Sequence, residues 1–441
     1  MAAYIEPKVL KGFRDFLPPA EMVRRGLTEK IENSFRSFGF VPIDTPALEY
    51  AEILLGKGGG ETEKQIYRFK DNGGRDVALR FDLTVPFARY TALHRAELTF
   101  PFKRYHIGKA WRGENTQRGR YREFTQCDFD IIGSDSPAAD FEILFLIHTT
   151  LLNLGLGFTI HVNHRGLFNR FLSNIGQVEK SVEILRSVDK LAKTGEEETR
   201  KSLTEISGAD NAQKILEFIS AKGSFTETLE RITELSGGPS LESQRLASLK
   251  QFMLDACGNA DDGSASLVLD SSITRGLDYY TGVVFETFLN ELPGIGSICS
   301  GGRYDNLAGL YSKDSNSISG VGASIGLDRM LAALESLEKQ PDADNCPAAI
   351  ACVDVEKSGQ YQALAHKLRK AGISCEVFLE HGGEKQLVKQ FVLAEKKGIR
   401  YVLIPGENPL SDPVTLRDIA ARQNSELSIE QVIEKIKKST K

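Results

Sequence analysis

Two segments of the 441-residue chain, PFKRYHIGKAWR (101–112) and YREFTQCDFDII (121–132), read as strands joined by a polar loop that holds Gly113 and Gly119. Antiparallel pairing is the simplest way to join them. The second segment constrains the fold most. Period-two alternation sends Phe124, Gln126, Asp128 and Asp130 to one sheet face and Cys127, Phe129 and Ile131 to the other. A core sheet does not bury an amide and two carboxylates without partners, because each uncompensated group costs on the order of 1–3 kcal/mol and an unpaired charge more. Two arrangements satisfy the row: a ligand that supplies donors, or a sheet face open to water, as antiparallel sheets often have.

A second segment, RGLDYYTGVVFE (275–286), places an arginine and two tyrosines at the mouth of an apolar strand. A guanidinium there needs a carboxylate, a phosphate or an anionic substrate, because it is always charged and presents five donors in a planar fork. Arg275 is therefore a functional candidate; the alternative is an arginine salt-bridged at a strand end beside Tyr279 and Tyr280 as core aromatics. Around the polar loop, Arg112, Arg118, Arg120 and Arg122 crowd together in a chain whose net charge is −5. That balance excludes a globally basic protein that coats nucleic acid but leaves room for a local phosphate site. Arg112 ends one strand, two residues before Glu114, and Arg120 opens the next, so the pair can grip a polyphosphate or carboxylate. No GxxxxGK[ST] sequence occurs, and GVGASIG is a poor match to the dinucleotide fingerprint, so an ATP site would be neither P-loop nor Rossmann.

The length exceeds what one core supports, ~250–300 residues, and predicts two or three domains. No apolar run approaches the ~20 residues of a membrane helix, and the N-terminus lacks a signal-peptide pattern, so a cytoplasmic protein is expected. The six cysteines (Cys127, Cys257, Cys299, Cys346, Cys352, Cys375) contain no CxxC pair and read as reduced thiols, with no zinc site expected. The seven histidines show no HExxH-type spacing.

Along the chain, helices are predicted over 22–37 and 137–155, and VALRFDLTV (77–85) reads as a strand running through Pro86 into a helix. Helical periodicity with charged faces dominates after about residue 165, until SLVLD at 266–270, and marks an inserted helical module. GVGASIGLDRMLAALESLE closes the first domain, and EKQPDADNCP is a linker. From Ala348 the alternation of strand and helix predicts a small α/β domain with a largely parallel sheet. The lysines at 435, 437, 438 and 441 read as a frayed, soluble terminus.

Five segments, in order, resemble the class II aminoacyl-tRNA synthetases and, within them, the histidyl-tRNA synthetase family, over essentially the whole chain. KGFRDFLP (11–18) is similar to the family's N-terminal signature, the 101–130 hairpin to class motif 2 with its arginine at Arg112, and GVGASIGLDRM to motif 3 with its arginine at Arg329. RGLDYYTGVVFE and GGRYD (301–305) are similar to the two histidine-specific segments. The resemblance implies an α+β protein: a six-stranded antiparallel catalytic domain over 1–335 with a helical insertion at about 166–265, a linker at 336–346, and an α/β anticodon-binding domain over 347–441, assembled as a homodimer. It implies a reaction in which L-histidine and ATP, the latter with Mg2+, give histidyl-adenylate and pyrophosphate, after which histidine passes to the 3′ end of tRNA(His). No organic cofactor and no metal held by a protein cage are expected.

By the same resemblance, Asp82, Leu83 and Thr84 line the histidine site, with Asp82, Thr84 and Gln126 holding the α-amino group. Asp130 and Tyr280 sit against the imidazole and Tyr279 lines the pocket. Arg112 binds the α-phosphate and the substrate carboxylate, Arg275 approaches that phosphate from the opposite side, Arg329 takes the far phosphates, Glu114 the adenine side, and Arg120 is a further phosphate candidate. Arg112 and Arg275 are thus the expected catalytic pair. Two features depart from common members: the Asp82-Leu83 form of the triplet, and Asn115-Thr116 in the loop where the family reads the tRNA acceptor end. A regulatory paralogue of the ATP phosphoribosyltransferase type, or a synthetase-like tRNA sensor, is the alternative. Such paralogues generally lack the C-terminal domain that this chain has.

Overall fold

The computed structural model describes residues 4–56, 63, 65–189, 191–257, 265–273, 279–305, 307–311, 318–339, 346–380, 384–410 and 413–439. The chain divides into two compact units, Met1–Leu17 with Leu27–Pro341, and Pro18–Gly26 with Asp342–Lys441.

Eleven strands are described in the larger unit: β1 (Val41–Pro42), β2 (Leu48–Tyr50), β3 (Arg68–Lys70), β4 (Asp76–Leu79), β5 (Phe102–Trp111), β6 (Glu123–Ile132), β7 (Phe158–His164), β8 (Ala265–Leu269), β9 (Val283–Leu289), β10 (Cys299–Tyr304) and β11 (Gly320–Gly326). Eight of them form one sheet in the order β1-β5-β6-β11-β10-β9-β7-β8, and β2-β4-β3 form a second. The six inner strands of the large sheet pair antiparallel throughout. The expected six-stranded sheet is therefore the centre of a wider one, with β1 and β8 added parallel at its edges. Parallel neighbours need a long crossover, and the helices between Arg165 and Cys257 supply the one from β7 to β8. This module has its own core, in which Phe171 and Phe218 stack at 4.6 Å between ring centroids.

The β5–β6 hairpin pairs over ten residues, from Phe102↔Ile132 to Trp111↔Glu123. On its apolar face Phe129 packs against Phe35, with ring centroids 4.7 Å apart. The other face is not open to water: Gln126, Asp128 and Asp130 are 8%, 2% and 2% exposed. That burial removes the solvent-facing reading of the row.

Three expectations change. The strand predicted over 77–85 stops at Leu79, and a helix starts at Thr84, before Pro86. The Asp82 carboxylate accepts from Val85 N at 3.1 Å, closing the first turn, where Pro86 loses no needed donor. In the smaller unit, β12 (Ala348–Ile350), β13 (Cys375–Val377), β14 (Tyr401–Ile404), β15 (Val414–Asp418) and β16 (Gln423–Leu427) follow the order β13-β12-β14-β15-β16. Its first three strands are parallel and the last two antiparallel, so the sheet is mixed. Residues 429–439 form a helix rather than a frayed end, with Ile429, Val432 and Ile436 buried and the lysines at 435, 437 and 438 on its exposed side. Among the described residues no helix is long and apolar enough to cross a membrane.

Two glycines let the polar face close. Gly302 and Gly322 are directly paired, and Gly322 also pairs with Asp130. A Cβ on Gly322 would collide with the Asp130 carboxylate, and one on Gly302 would lie 2.7 Å from Val283 O and 2.9 Å from the Tyr280 ring. Gly302→Ala should therefore destabilise the protein by about 1–3 kcal/mol, the cost of overpacking; an unchanged urea midpoint would contradict that packing.

Candidate active site

The hairpin delivers its arginines by simple geometry. Arg112, one residue past β5, donates from Nε to Phe81 O at 2.9 Å, and its guanidinium carbon lies 5.1 Å from the centre of the Phe124 ring. At the loop tip Gln117 N donates to Arg120 O at 3.1 Å and Arg120 N to Gln117 O at 2.8 Å. Gly119, at φ 72°, packs so closely that an added Cβ would lie 3.3 Å from Arg329 Cα. The tip thus rests on the first turn of the Leu327–Ser336 helix.

Between them lies a cavity of about 180 Å³ whose lining includes Arg112, Glu114, Arg120, Gln126, Ser324 and Arg329. Arg120 Nη1 stands 3.6 Å from Glu114 Oε2, and Arg329 donates to Ser297 O. One wall is fixed by Asp328, which accepts from Thr125 N at 2.7 Å and pairs with Arg14. The Arg14 guanidinium carbon in turn lies 3.9 Å from the Tyr121 ring centre and 4.3 Å from that of Phe16. Arg14 gives the KGFRDFLP segment a structural task that no local pattern disclosed.

Along β6 the row passes from this cavity into a buried acidic cluster. Gln126 Nε2 donates to Ser324 Oγ at 2.8 Å, while its Oε1 has no partner among the described residues. Asp130 is answered from both sides: Arg104 Nη2 lies 2.6 Å from Oδ2, and Tyr304 Oη donates to Oδ1 at 2.6 Å. Arg104 is wholly buried, its guanidinium carbon 4.1 Å from the Phe87 ring centre. Tyr279 Oη donates to Asp82 Oδ2 at 3.4 Å, and the Tyr279 and Tyr280 rings meet edge to face at 4.9 Å between centroids.

Burial governs the titration of these groups. It pushes the Asp82 carboxyl up to about 6, against the hydrogen bond from Val85 and the pull of Arg112. It pushes Asp128 up to about 7, opposed by Arg104 and reinforced by Asp130. Asp130 is also raised by burial, with Arg104 and the Tyr304 hydrogen bond opposing. The Tyr280 phenol rises for the same reason, with repulsion from Asp130 and Asp128 added. The cluster can hold a cation or donate and accept at fixed points, which suits a ligand carrying an amine and a ring with one donor and one acceptor.

Of the residues expected from sequence, Arg112, Glu114, Arg120, Gln126 and Arg329 share the cavity. Asp82, Thr84, Asp130, Tyr279 and Tyr280 gather in the cluster, where Thr84 hydrogen-bonds Tyr279. The Leu83 side chain is buried in the core, and what it offers is a carbonyl 3.5 Å from Arg104 Nη2. Arg275 lies outside the described residues. Sequence reasoning missed Arg104 and Ser324 as members of the site, and it placed Asp128 on the polar row and Tyr304 within GGRYD without giving either a role. For Arg104 the signal was present in principle, since pairing the two strands in register sets it opposite Asp130.

The family model for histidyl-tRNA synthetase matches residues 12–330, and that for an anticodon binding domain matches 348–439. The chain is 51% identical to the histidine–tRNA ligase of Treponema denticola over 100% of both chains, and 45% identical to that of Rhodopirellula baltica over 96% of both. It superposes on the crystal structure of histidyl-tRNA synthetase from Nostoc sp. PCC 7120 with a TM-score of 0.84, at 30% identity, covering 99% of this chain and 100% of that one. The chain belongs to the histidyl-tRNA synthetase family.

Proposed function

We infer that the chain is a histidine–tRNA ligase in which the two halves of the β6 polar row do different work. The observation that carries this is continuity: Gln126 lines the cation-rich cavity, while Asp130, four residues along the same strand face, sits in the buried cluster. ATP, entering with Mg2+ as part of the substrate, takes the cavity. Arg112 binds the α-phosphate together with the histidine carboxylate, Arg329 the far phosphates, and Glu114 the adenine side, with Arg120 as a further phosphate contact. Asp82, Thr84 and Gln126 hold the α-amino group; Asp130 and Tyr280 meet the imidazole, and Tyr279 forms a wall.

In the first step a histidine carboxylate oxygen attacks the α-phosphorus, the bond to the bridging oxygen breaks, and pyrophosphate leaves. A hydroxyl of the terminal tRNA ribose then attacks the carbonyl of histidyl-adenylate and AMP leaves. Neither step requires covalent participation by the protein, so positioning and fixed positive charge carry the catalysis. Retention of Arg112 and Arg329 beside an anticodon-binding domain speaks against a paralogue that binds histidine without activating it. The domain spanning 348–439 supports recognition of tRNA(His). The exposed apolar side chains of Leu48, Tyr50 and Phe69, brought together by the β2-β4-β3 sheet, support a homodimer, since such patches mark contact surfaces. The absence of a spanning helix among the described residues fits a cytoplasmic enzyme.

Arg112→Ala should leave the fold intact and lower histidine-dependent ATP–pyrophosphate exchange by about 10²–10³, as for other fixed donors aimed at developing charge. Arg275→Ala should do the same, and Arg275→Lys should recover little because a point charge lacks the fork. Near-normal exchange in either alanine variant removes that arginine from the chemistry.

The buried acids also predict a pH signature. Asp128 has its folded pKa raised to about 7, above the value near 3.9 of an unfolded chain. Its contribution to stability is therefore present below about pH 4 and lost as pH rises through about 7. Asp128→Asn should flatten the fall in melting temperature over that interval; the same slope in variant and parent would contradict the assignment.

A further inference from the structure

The short stretch Tyr280–Gly282 is gripped by both ends of the helical insertion. Where β7 ends, Arg165 begins the first inserted helix. Its backbone N–H donates to Gly282 O at 2.9 Å, adding a rung beyond the His164↔Val283 pair, and its Nη1 turns back to Tyr280 O at 3.1 Å. Two residues earlier, Asn163, 1% exposed, donates from Nδ2 to Ser271 O at 3.3 Å and Ile273 O at 2.9 Å.

The last inserted helix, Leu241–Cys257, is linked to the same stretch through Asp140 and Arg303. Arg245 Nε donates to Asp140 Oδ2 at 2.5 Å, and Arg303 Nε donates to Asp140 Oδ1 at 2.9 Å. Asp140 is wholly buried and Arg303 1% exposed, so this carboxylate joins an insertion helix to strand β10 where water competes little. Arg303 O then accepts from Thr281 N at 2.8 Å, and its side chain fills the space that a Cβ on Gly282 would need, 3.0 Å away. Thr281 Oγ1 donates to Asp305 Oδ2 at 2.6 Å.

These contacts do more than close the core. A charged guanidinium is aimed at the main-chain carbonyl of the residue whose ring stands over Gly302, in line with Gly322 and Asp130. Among its described residues the insertion places no group in the row itself, but these contacts would carry a shift of its first or last helix to the Tyr280 phenol, and about 1 Å of misplacement is costly at a reacting centre. We propose that Arg165 and Arg245 are positioning residues for Tyr280, so that the helical insertion sets the geometry of the imidazole end of the histidine site. This rests on the reading of Tyr280 given under the proposed function.

The test is exchange kinetics on the full-length enzyme, with the histidine and ATP dependences measured separately. Arg165→Ala should raise the KM for histidine about tenfold, the effect of losing one charged hydrogen bond, while the KM for ATP stays within about twofold. Arg165→Lys, which keeps a charged donor, should recover part of the loss, and Arg245→Ala should shift the histidine KM in the same direction. If Arg165→Ala does not fold, the other two variants carry the same comparison. Equal rises in both KM values, or a fall in kcat that follows a lowered melting temperature, would overturn the positioning role. So would an unchanged histidine KM. Tyr280→Phe run alongside separates the two ideas: a normal histidine KM there overturns the pocket reading itself, whereas a raised one beside an unaffected Arg165→Ala overturns the positioning claim alone.

Discussion

A carboxylate at the centre of a sheet must be met by a cation or keep its proton, and Asp130 is met by Arg104 at 2.6 Å. Removing two charges from water costs several kcal/mol per ion after relaxation, so such a pair adds little stability by itself. Its effect is to fix geometry. Arg104 has to lie directly across the strand pair from Asp130, which locks the hairpin register. Tyr304 then approaches the remaining carboxylate oxygen, and that is possible because β11 carries glycines at 320, where a Cβ would lie 2.5 Å from the Tyr304 ring, and at 322, where one would collide with the Asp130 carboxylate. Break the register by one residue and every polar side chain of β6 turns to the apolar face.

The site inherits its division of labour from that row. At one end Gln126 looks into a cavity walled by arginines, and at the other Asp130 is enclosed by Arg104, Tyr304 and the tyrosine pair. A strand separates the two reproducibly, because alternate residues on one face are held about 7 Å apart. The proposed discrimination rests on the same burial: a pocket that offers fixed polar partners to an imidazole leaves them without that partner when an apolar amino acid of similar size enters.

Much of this was legible in the chain, for identifiable reasons. The alternation in FTQCDFDI set the polar row, and the paired strands placed Arg112 and Arg120 about one loop. The identity of the partner to Asp130 was not legible, because register is a relation between strands and Arg104 sits in an unremarkable run. Tyr304 and Ser324 come from strands nearly two hundred residues away in sequence and reach β6 only through topology. SLVLD marked β8 in the sequence, but its parallel place beside β7 was not legible, because the inserted helices that allow the crossover separate the two strands in the chain. In the smaller unit β16 escaped notice since its residues, Gln423–Leu427, are mostly exposed and show no apolar alternation. The lysines near the end looked like a tail because charge is conspicuous, whereas the buried Ile429, Val432 and Ile436 that dock the helix are spaced at three and four.

The central claim is that the buried row selects histidine for activation in the adjoining cavity. The most direct measurement is ATP–pyrophosphate exchange by the unaltered enzyme across a panel of amino acids. Histidine should support exchange with a kcat/KM at least about 10⁴-fold above that of leucine or phenylalanine, as expected of a site that hydrogen-bonds its substrate. Comparable exchange with an apolar amino acid, or none with histidine from folded protein, would contradict it.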